Sequence, residues 1–219
     1  MNRLPLELDR LGGGERAAVL AVSLPAGWAQ LSAVWRGVQT DLELPAPAIA
    51  VSGTDALQLW FAFAAPPSAA ERARFLAGLR ARYLADVRPA QVQLFGDVGT
   101  MPAVPGAEVA PQRWSAFVTP DLASVFDDTP WLDLPPGDEG QAAILRALEP
   151  IQPAALAHAL SRLEPPVAQA APPAPAPVVA QRDADPARFL AGVMNDEAAP
   201  LALRIEAARI LLLDGQRRG

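Results

Sequence analysis

The alternation of apolar and polar positions is clearest in residues 48–86, where it predicts a strand, a tight turn, a second strand and a helix. Residues 48–52 are an apolar run, and residues 57–63 place alternate side chains on opposite faces, as a strand does. Gly53 and Asp55 lie between the two runs and favour a turn. The pattern therefore predicts an antiparallel hairpin with a buried face.

The helix that follows this hairpin has clear start and stop signals. Ser68 and Glu71 have the spacing of a capping box, and Pro89 lies beyond the expected end. The apolar residues between them recur at helical spacing: Phe75, Leu76, Leu79 and Tyr83. We expect this stripe to pack on the sheet.

The segments before the hairpin are less uniform. Residues 1–14 contain three consecutive glycines and predict a mobile segment or an extended arm, and residues 15–23 fit either a helix or a strand. Residues 25–36 predict an amphipathic helix that ends at Gly37. Residues 38–44 alternate and predict a strand that carries Asp41 and Glu43.

After the central helix, short strands are predicted over residues 91–95 and 113–118, with an edge strand over residues 131–134. Thr119 and Pro120 are typical of a helix start, and the expected buried side of that helix is formed by Leu122, Val125 and Phe126. Two more helices are predicted to begin near Asp138 and at Pro153. The fold class that follows is α+β, with an antiparallel-rich sheet packed with helices.

Composition divides the chain into three parts. Residues 1–163 form the predicted main domain, residues 164–182 are a Pro/Ala-rich linker, and residues 183–219 form a predicted two-helix hairpin. Such a hairpin is too small to fold well alone, so we expect it to bind a protein partner or to self-associate. Its candidate partner-binding residues are Phe189, Leu190, Val193, Met194, Leu203 and Leu211.

Charge and residue counts narrow the function classes. The 219 residues carry a net charge of −6, which disfavours nonspecific binding to nucleic acid. The chain has no cysteine and one histidine, so thiolate zinc sites, disulfides and cysteine nucleophiles are excluded. No signal-peptide pattern and no membrane-spanning apolar run is present, and we expect a cytoplasmic protein that does not enter a membrane.

Three features could carry chemistry. Asp41 and Glu43 are two apart on a predicted strand and could bind Mg²⁺ or Mn²⁺, or could be two solvated charges. Ser52 and Gly53 could cradle a phosphate through backbone N–H groups, or could simply form the hairpin turn. Gln58 is polar within an apolar strand and should face either solvent or a cleft. We expect the five tryptophans to be core rather than base-stacking residues.

Residues 52–61, from Ser52 through Trp60 to Phe61, resemble the second motif of the archaeo-eukaryotic primase superfamily, roughly S-G-x-x-G-x-H-x-aromatic on a hairpin before a helix. The resemblance covers about residues 38–86 and implies an RRM-like sheet. It also implies that Asp41 and Glu43 stand for the metal-binding acids and that Gln58 stands for the histidine that contacts nucleotide phosphate. Because glutamine cannot supply imidazolium charge, we expect polymerase chemistry to be absent or impaired.

Residues 185–208 are similar to a segment of small-subunit-like phage terminase proteins. Together the two resemblances imply a role in the DNA metabolism of a bacterial or phage element. We therefore expect a non-catalytic binding or adaptor protein without a cofactor, built on a degenerate primase-like domain. The alternatives are an active nucleotidyltransferase dependent on Mg²⁺ or Mn²⁺, and a structural protein–protein interaction module with no nucleic-acid role.

Overall fold

A computed structural model describes residues 3–9, 11 and 14–163, and in the C-terminal part residues 190, 193–195, 203–205 and 208–209. The chain divides into two units, residues 1–165 and 166–219, which are described separately. The first unit contains five α-helices and seven β-strands within its described residues, in the order α1 (Leu4–Asp9), β1 (Ala17–Ser23), α2 (Trp28–Thr40), β2 (Ala48–Val51), β3 (Ala56–Ala62), α3 (Ala69–Tyr83), β4 (Val92–Phe95), β5 (Glu108–Ala110), β6 (Arg113–Trp114), β7 (Ala116–Val118), α4 (Asp138–Arg146) and α5 (Pro153–Leu163).

The main sheet has five antiparallel strands in the order β4-β1-β3-β2-β7. Its first four strands follow the chain order β1-α2-β2-β3-α3-β4, which is the split βαβ arrangement of ferredoxin-like and RRM-like sheets. Strand β7 adds a fifth strand beside β2. The predicted α+β class and the predicted RRM-like sheet are therefore confirmed.

The first face of the sheet is covered by α2, α3 and α5. Leu57, Leu59 and Phe61 point from β3 into this layer, where Phe61 meets Phe75 of α3 edge to face at 5.1 Å between ring centroids. The capping box of α3 is present, because Ser68 Oγ accepts from the Glu71 N–H while the Glu71 carboxylate accepts from the Ser68 N–H. The predicted helix and its buried stripe are thus confirmed.

The second face of the sheet is covered by α1 and α4. Trp60 of β3 is buried there and packs edge to face on Phe117 of β7, with 5.9 Å between ring centroids. Leu8 of α1 and Leu145 of α4 lie in the same apolar cluster. The N-terminal segment therefore contributes a packed helix, and the prediction of an extended arm is wrong over residues 4–9.

Residues 38–44 do not form a strand. Helix α2 continues to Thr40, because Leu31, Val34 and Val38 share one buried stripe that runs past Gly37. Gly37 is therefore an interior residue of the helix, and the expected C-cap at this position is wrong. The apolar and polar residues of 38–44 alternate as in a strand, but the first three belong to the last turn of α2 and the rest to an irregular segment.

Two further element predictions differ from the structure. Residues 120–126 form a 3-10 helix that buries Ala123. Of the expected buried side, Phe126 packs against the core, whereas Leu122 and Val125 are exposed, contrary to the prediction. The predicted edge strand over residues 131–134 is reduced to one antiparallel bridge between Leu132 and Trp114. Residues 15–23 fit either a helix or a strand by sequence, and they contain β1, an interior strand of the sheet that pairs with β3 on one side and β4 on the other.

In the second unit, residue 190 and residues 193–195, 203–205 and 208–209 are helical. Arg204 Nε donates to the Met194 carbonyl at 3.1 Å and so links two of these segments. The remainder of the predicted linker and helical hairpin lies outside the described residues.

Candidate functional site

Asp41 lies at the C-terminal end of α2, where it joins that helix to α3. Its Oδ2 accepts from the Tyr83 hydroxyl at 3.1 Å and from Arg82 Nη2 at 3.4 Å. Hydrogen bonds from the Thr40 and Tyr83 side chains lower the pKa of the Asp41 carboxyl, assisted by the positive charge of Arg82. The carboxylate is thus held in its charged form by contacts within the protein.

Glu43 does not act together with Asp41 in this structure. Its backbone is in the left-handed region, with φ of 55°, in the irregular segment that follows α2. Its carboxylate forms an ion pair with Arg162 of α5 at 3.0 Å, whereas Asp41 pairs with Arg82. The strand geometry that would have projected both carboxylates from one face is absent from residues 38–44.

Among the described residues, no group of three or more histidine, cysteine, aspartate or glutamate side chains has the geometry to hold a metal ion. The two candidate metal ligands of the sequence are instead salt-bridge partners of arginines on α3 and α5. In both pairs the arginine belongs to a helix that covers the first face of the sheet.

Residues 52–55 form the β2–β3 turn, and its backbone N–H groups bond to the turn itself or to a neighbouring segment of the protein. Ser52 Oγ accepts from the Thr54 and Ala56 N–H groups, and the Gly53 N–H donates to the Pro130 carbonyl at 2.9 Å. Gly53 has φ of 81°, and a Cβ there would lie 2.3 Å from a Val109 methyl carbon. These N–H groups stabilise the turn itself, which supports the turn interpretation over the phosphate-cradle interpretation.

Gln58 faces the second side of the sheet, opposite to the layer that contains Asp41. The residues on either side of it, Leu57 and Leu59, point to the first face, which α2, α3 and α5 cover. Gln58 points to the second face, as Trp60 does. Only 6% of Gln58 is exposed and the residue lines a cavity, so of the two predicted environments the structure has the cleft and not solvent. Its Oε1 accepts from Trp60 Nε1 at 2.8 Å.

The structure thus separates the residues that the primase resemblance would bring together. Asp41 and Glu43 pair with arginines of α3 and α5, which cover the first face of the sheet. Ser52 and Gln58 line a cavity on the second face. That cavity also includes Asp55, which sequence analysis selected only as a turn residue, and Gln93, which no periodicity or motif singled out. Gln93 and Gln58 lie in one row of the sheet because each pairs with Ala21 of the strand between them, and only the strand register sets that row.

The candidate partner-binding residues of the C-terminal unit are partly described. Leu190, Val193 and Met194 are half-buried within that unit, and Leu203 is exposed. Ile205, which was not among the candidates, is also exposed. Phe189 and Leu211 lie outside the described residues.

No helix in the part of the chain that the structure describes is long and apolar enough to cross a membrane. Comparison with known proteins finds no matching family model, no matching curated protein and no matching solved structure.

Proposed function

We propose that this chain is a non-catalytic adaptor protein in the DNA metabolism of a bacterial or phage element. Its first unit retains a primase-like sheet topology as a scaffold, and its C-terminal residues recruit a protein partner. The observation that carries the proposal is the pairing of Asp41 with Arg82 and Tyr83, on the face of the sheet opposite to Gln58. Two-metal phosphoryl transfer needs acidic ligands that converge on one cleft.

The charge balance of these acids supports the same conclusion. Each carboxylate has an arginine within 3.4 Å, so a divalent cation would have to displace an ion pair before it could bind. The net charge of −6 further disfavours direct tracking of a nucleic-acid backbone. Association with DNA metabolism would therefore operate through a protein partner.

The C-terminal unit supplies the surface for that partner. Leu203 and Ile205 are 56% and 60% exposed within a helical segment. Apolar side chains that stay exposed on a helix mark a candidate surface for binding another protein. We assign partner recruitment to this segment.

A nucleotide-incorporation assay tests the non-catalytic half of the proposal. The full chain is incubated with Mn²⁺ or Mg²⁺, nucleoside triphosphates and primed or unprimed DNA, beside the Asp41→Ala variant. We expect both proteins to give only background incorporation. Metal-dependent incorporation by the natural chain that is lost in Asp41→Ala would establish the nucleotidyltransferase alternative instead.

Affinity capture tests the adaptor half. The full chain and a Leu203→Asp/Ile205→Asp double variant are used as baits in a bacterial lysate, and we expect the double variant to lose DNA-processing partners. The matched control is Leu122→Asp/Val125→Asp, which alters two similarly exposed side chains of the first unit and should keep them. Identical capture by all three baits would contradict recruitment through the C-terminal unit.

A further inference from the structure

A solvent-open cavity of about 230 Å³ lies on the second face of the sheet, at the end that carries the β2–β3 turn. Its floor is formed by β1, β3 and β4, and its walls include Phe95, Pro102 and Val109. Helices α1 and α4 cover the other part of this face, around Trp60. The cavity is smaller than a site for a drug-sized ligand and suits a small metabolite.

The strand register explains why a cavity exists here. Gln93 of β4 is paired with Ala21 of β1, and Ala21 is paired with Gln58 of β3. The three residues form one row across the sheet, with the two glutamines separated by about 10 Å, or two strand spacings. Because the residue between them is alanine, the two carboxamides flank an open floor.

The orientation of the Gln58 carboxamide is fixed by Trp60. An indole N–H can only donate, so the atom 2.8 Å from Trp60 Nε1 must be the carboxamide oxygen. The Gln58 NH₂ group is then directed away from Trp60, and no acceptor for it is found among the described residues. Gln58 is 6% exposed and lines the cavity. Because none of the described side chains has a buried N or O atom without a partner, the Gln58 NH₂ is accessible from the cavity and can donate to a ligand oxygen.

The hydroxyl groups nearby are already used by the protein. Ser52 Oγ accepts from two N–H groups of its own turn, and Ser115 Oγ accepts from the Gly106 and Ala107 N–H groups and donates to the Ala107 carbonyl. The Thr54 hydroxyl donates to Asp55 Oδ1 at 3.1 Å and lies 3.1 Å from Ser52 Oγ. The groups that remain for a ligand are therefore the Gln58 NH₂, the Gln93 carboxamide and the lone pairs of the Asp55 carboxylate that Thr54 does not use.

The charge of the lining selects the ligand class. Asp55 is the single charged side chain among the described residues that line the cavity, and no arginine lies with it. A phosphate or carboxylate ligand would meet a like charge without a compensating cation. A cationic ligand would gain an acceptor from Asp55 and contact with the Phe95 ring.

We propose that this cavity is a binding site for a small cationic nitrogen compound that also carries a carbonyl or hydroxyl oxygen. The cationic group donates to Asp55 and to the Gln93 oxygen, and the ligand oxygen accepts from the Gln58 NH₂. Trp60 is a positioning residue, because it holds the Gln58 carboxamide without lining the cavity. This site is independent of partner recruitment by the C-terminal unit.

The probe is L-argininamide, which has a guanidinium group and an amide oxygen. The full chain, labelled with ¹⁵N, is titrated while the indole N–H resonance of Trp60 is followed and assigned with a Trp60→Phe variant. We expect saturable movement of this resonance with a Kd of about 1 mM or tighter. The four other tryptophan indoles provide internal references that should move little.

Three variants test the assignment. Asp55→Asn keeps the size of an exposed turn residue and should weaken binding about fivefold, as for loss of a surface ion pair. The matched control Asp86→Asn removes an exposed acid after α3 and should bind as the natural chain does. Ala21→Leu fills the floor between the glutamines and should abolish binding, with the dispersion of the backbone amide spectrum confirming that the variant is folded.

Any of three results would overturn the proposal. The Trp60 resonance could remain fixed throughout the titration, or Asp55→Asn could bind L-argininamide as tightly as Asp86→Asn. Inorganic phosphate or a nucleoside triphosphate could move the Trp60 resonance at lower concentration than L-argininamide does, which would identify an anion site. The Asp55→Asn comparison remains decisive even if Ala21→Leu does not fold.

Discussion

At the residue scale, the packing of α2 on α3 depends on one glycine and one tyrosine. Gly37 faces the Tyr83 ring, and a Cβ at residue 37 would lie 2.3 Å from Tyr83 Cε1. The close approach lets the Tyr83 hydroxyl reach Asp41. Glycine costs helix stability at an interior position, and here close packing of the ring offsets that cost.

Gly37→Ala should destabilise the protein by about 1–3 kcal/mol, because the steric clash with Tyr83 exceeds the gain in helix propensity. The matched control is Gly140→Ala in α4, where an added Cβ meets no heavy atom within 4 Å. That variant should gain about 0.5–1 kcal/mol. Urea unfolding measures both, and equal effects at the two positions would contradict the packing argument.

The same contact predicts a dependence of stability on alkaline pH. Burial, together with the hydrogen bond to Asp41, raises the pKa of Tyr83 from 10.0 to about 12. Because the folded protein favours the neutral phenol, this stabilisation is present below pH 10 and is lost as the pH rises from 10 to 12. Tyr83→Phe should therefore be less stable than the natural chain at neutral pH, by a margin that shrinks over this interval.

The measurement has a direct internal check. Tyr83 is the single tyrosine of the chain, so the ultraviolet absorbance of tyrosinate reports its ionisation alone. Urea unfolding at increasing pH should lose stability in parallel with that titration. A tyrosinate titration at the ordinary pKa of tyrosine would show that the half-buried contact with Asp41 does not form.

At the element scale, the backbone of one edge strand of the sheet, β7, is paired by one side chain of α4. Strand β7 lies at the edge, and Gln141 of α4 pairs with its middle residue. Gln141 Oε1 accepts from the Phe117 N–H at 2.7 Å, and Nε2 donates to the Phe117 carbonyl at 3.0 Å. A carboxamide thus takes the place of a neighbouring strand, which is one way to prevent edge-to-edge association.

Gln141→Leu should cost about 1–3 kcal/mol, because it leaves the Phe117 N–H and carbonyl without partners at a buried position. Gln152→Leu, at an exposed residue before α5, is the control and should change stability by less than about 0.5 kcal/mol. Urea unfolding gives both values. Sedimentation at increasing concentration should also show self-association of Gln141→Leu, and a monomer with unchanged stability would refute the capping role.

At the scale of the whole molecule, the first unit has a complete core within its own residues. Helix α5 closes this core with Leu156, Leu160 and Leu163, all of them buried against the first face of the sheet. The second face has its own apolar cluster around Trp60, under α1 and α4. Both faces of the RRM-like sheet are thus covered by elements that end by Leu163.

A chain truncated after residue 165 should therefore fold with nearly the thermal midpoint of the full chain. Among the residues that the structure describes, every member of the two core clusters precedes residue 166 and is kept. Circular dichroism during heating measures the midpoint, and a second truncation after residue 152, which deletes α5, is the matched comparison that should be strongly destabilised. A large loss of stability in the longer fragment would show that the C-terminal residues belong to the fold of the first unit.

The amino-acid sequence alone determined the hairpin, the capped helix α3 and the α+β class. These features depend on local periodicity, turn chemistry and capping, which adjacent residues encode. The strand predicted over residues 38–44 was wrong because local alternation cannot distinguish a strand from a helix end that continues into an irregular segment. Only the buried stripe of α2 against the sheet decides that Val38 belongs to the helix.

Tertiary structure alone decided the arrangement of the candidate site residues. Strand register placed Gln93, Ala21 and Gln58 in one row, and the pleat directed Gln58 to the face away from Asp41. Helix packing paired Asp41 with Tyr83, and Glu43 with Arg162, at sequence separations of 42 and 119 residues. Such pairings are not encoded locally, because they exist only after the sheet and its two covering layers have assembled.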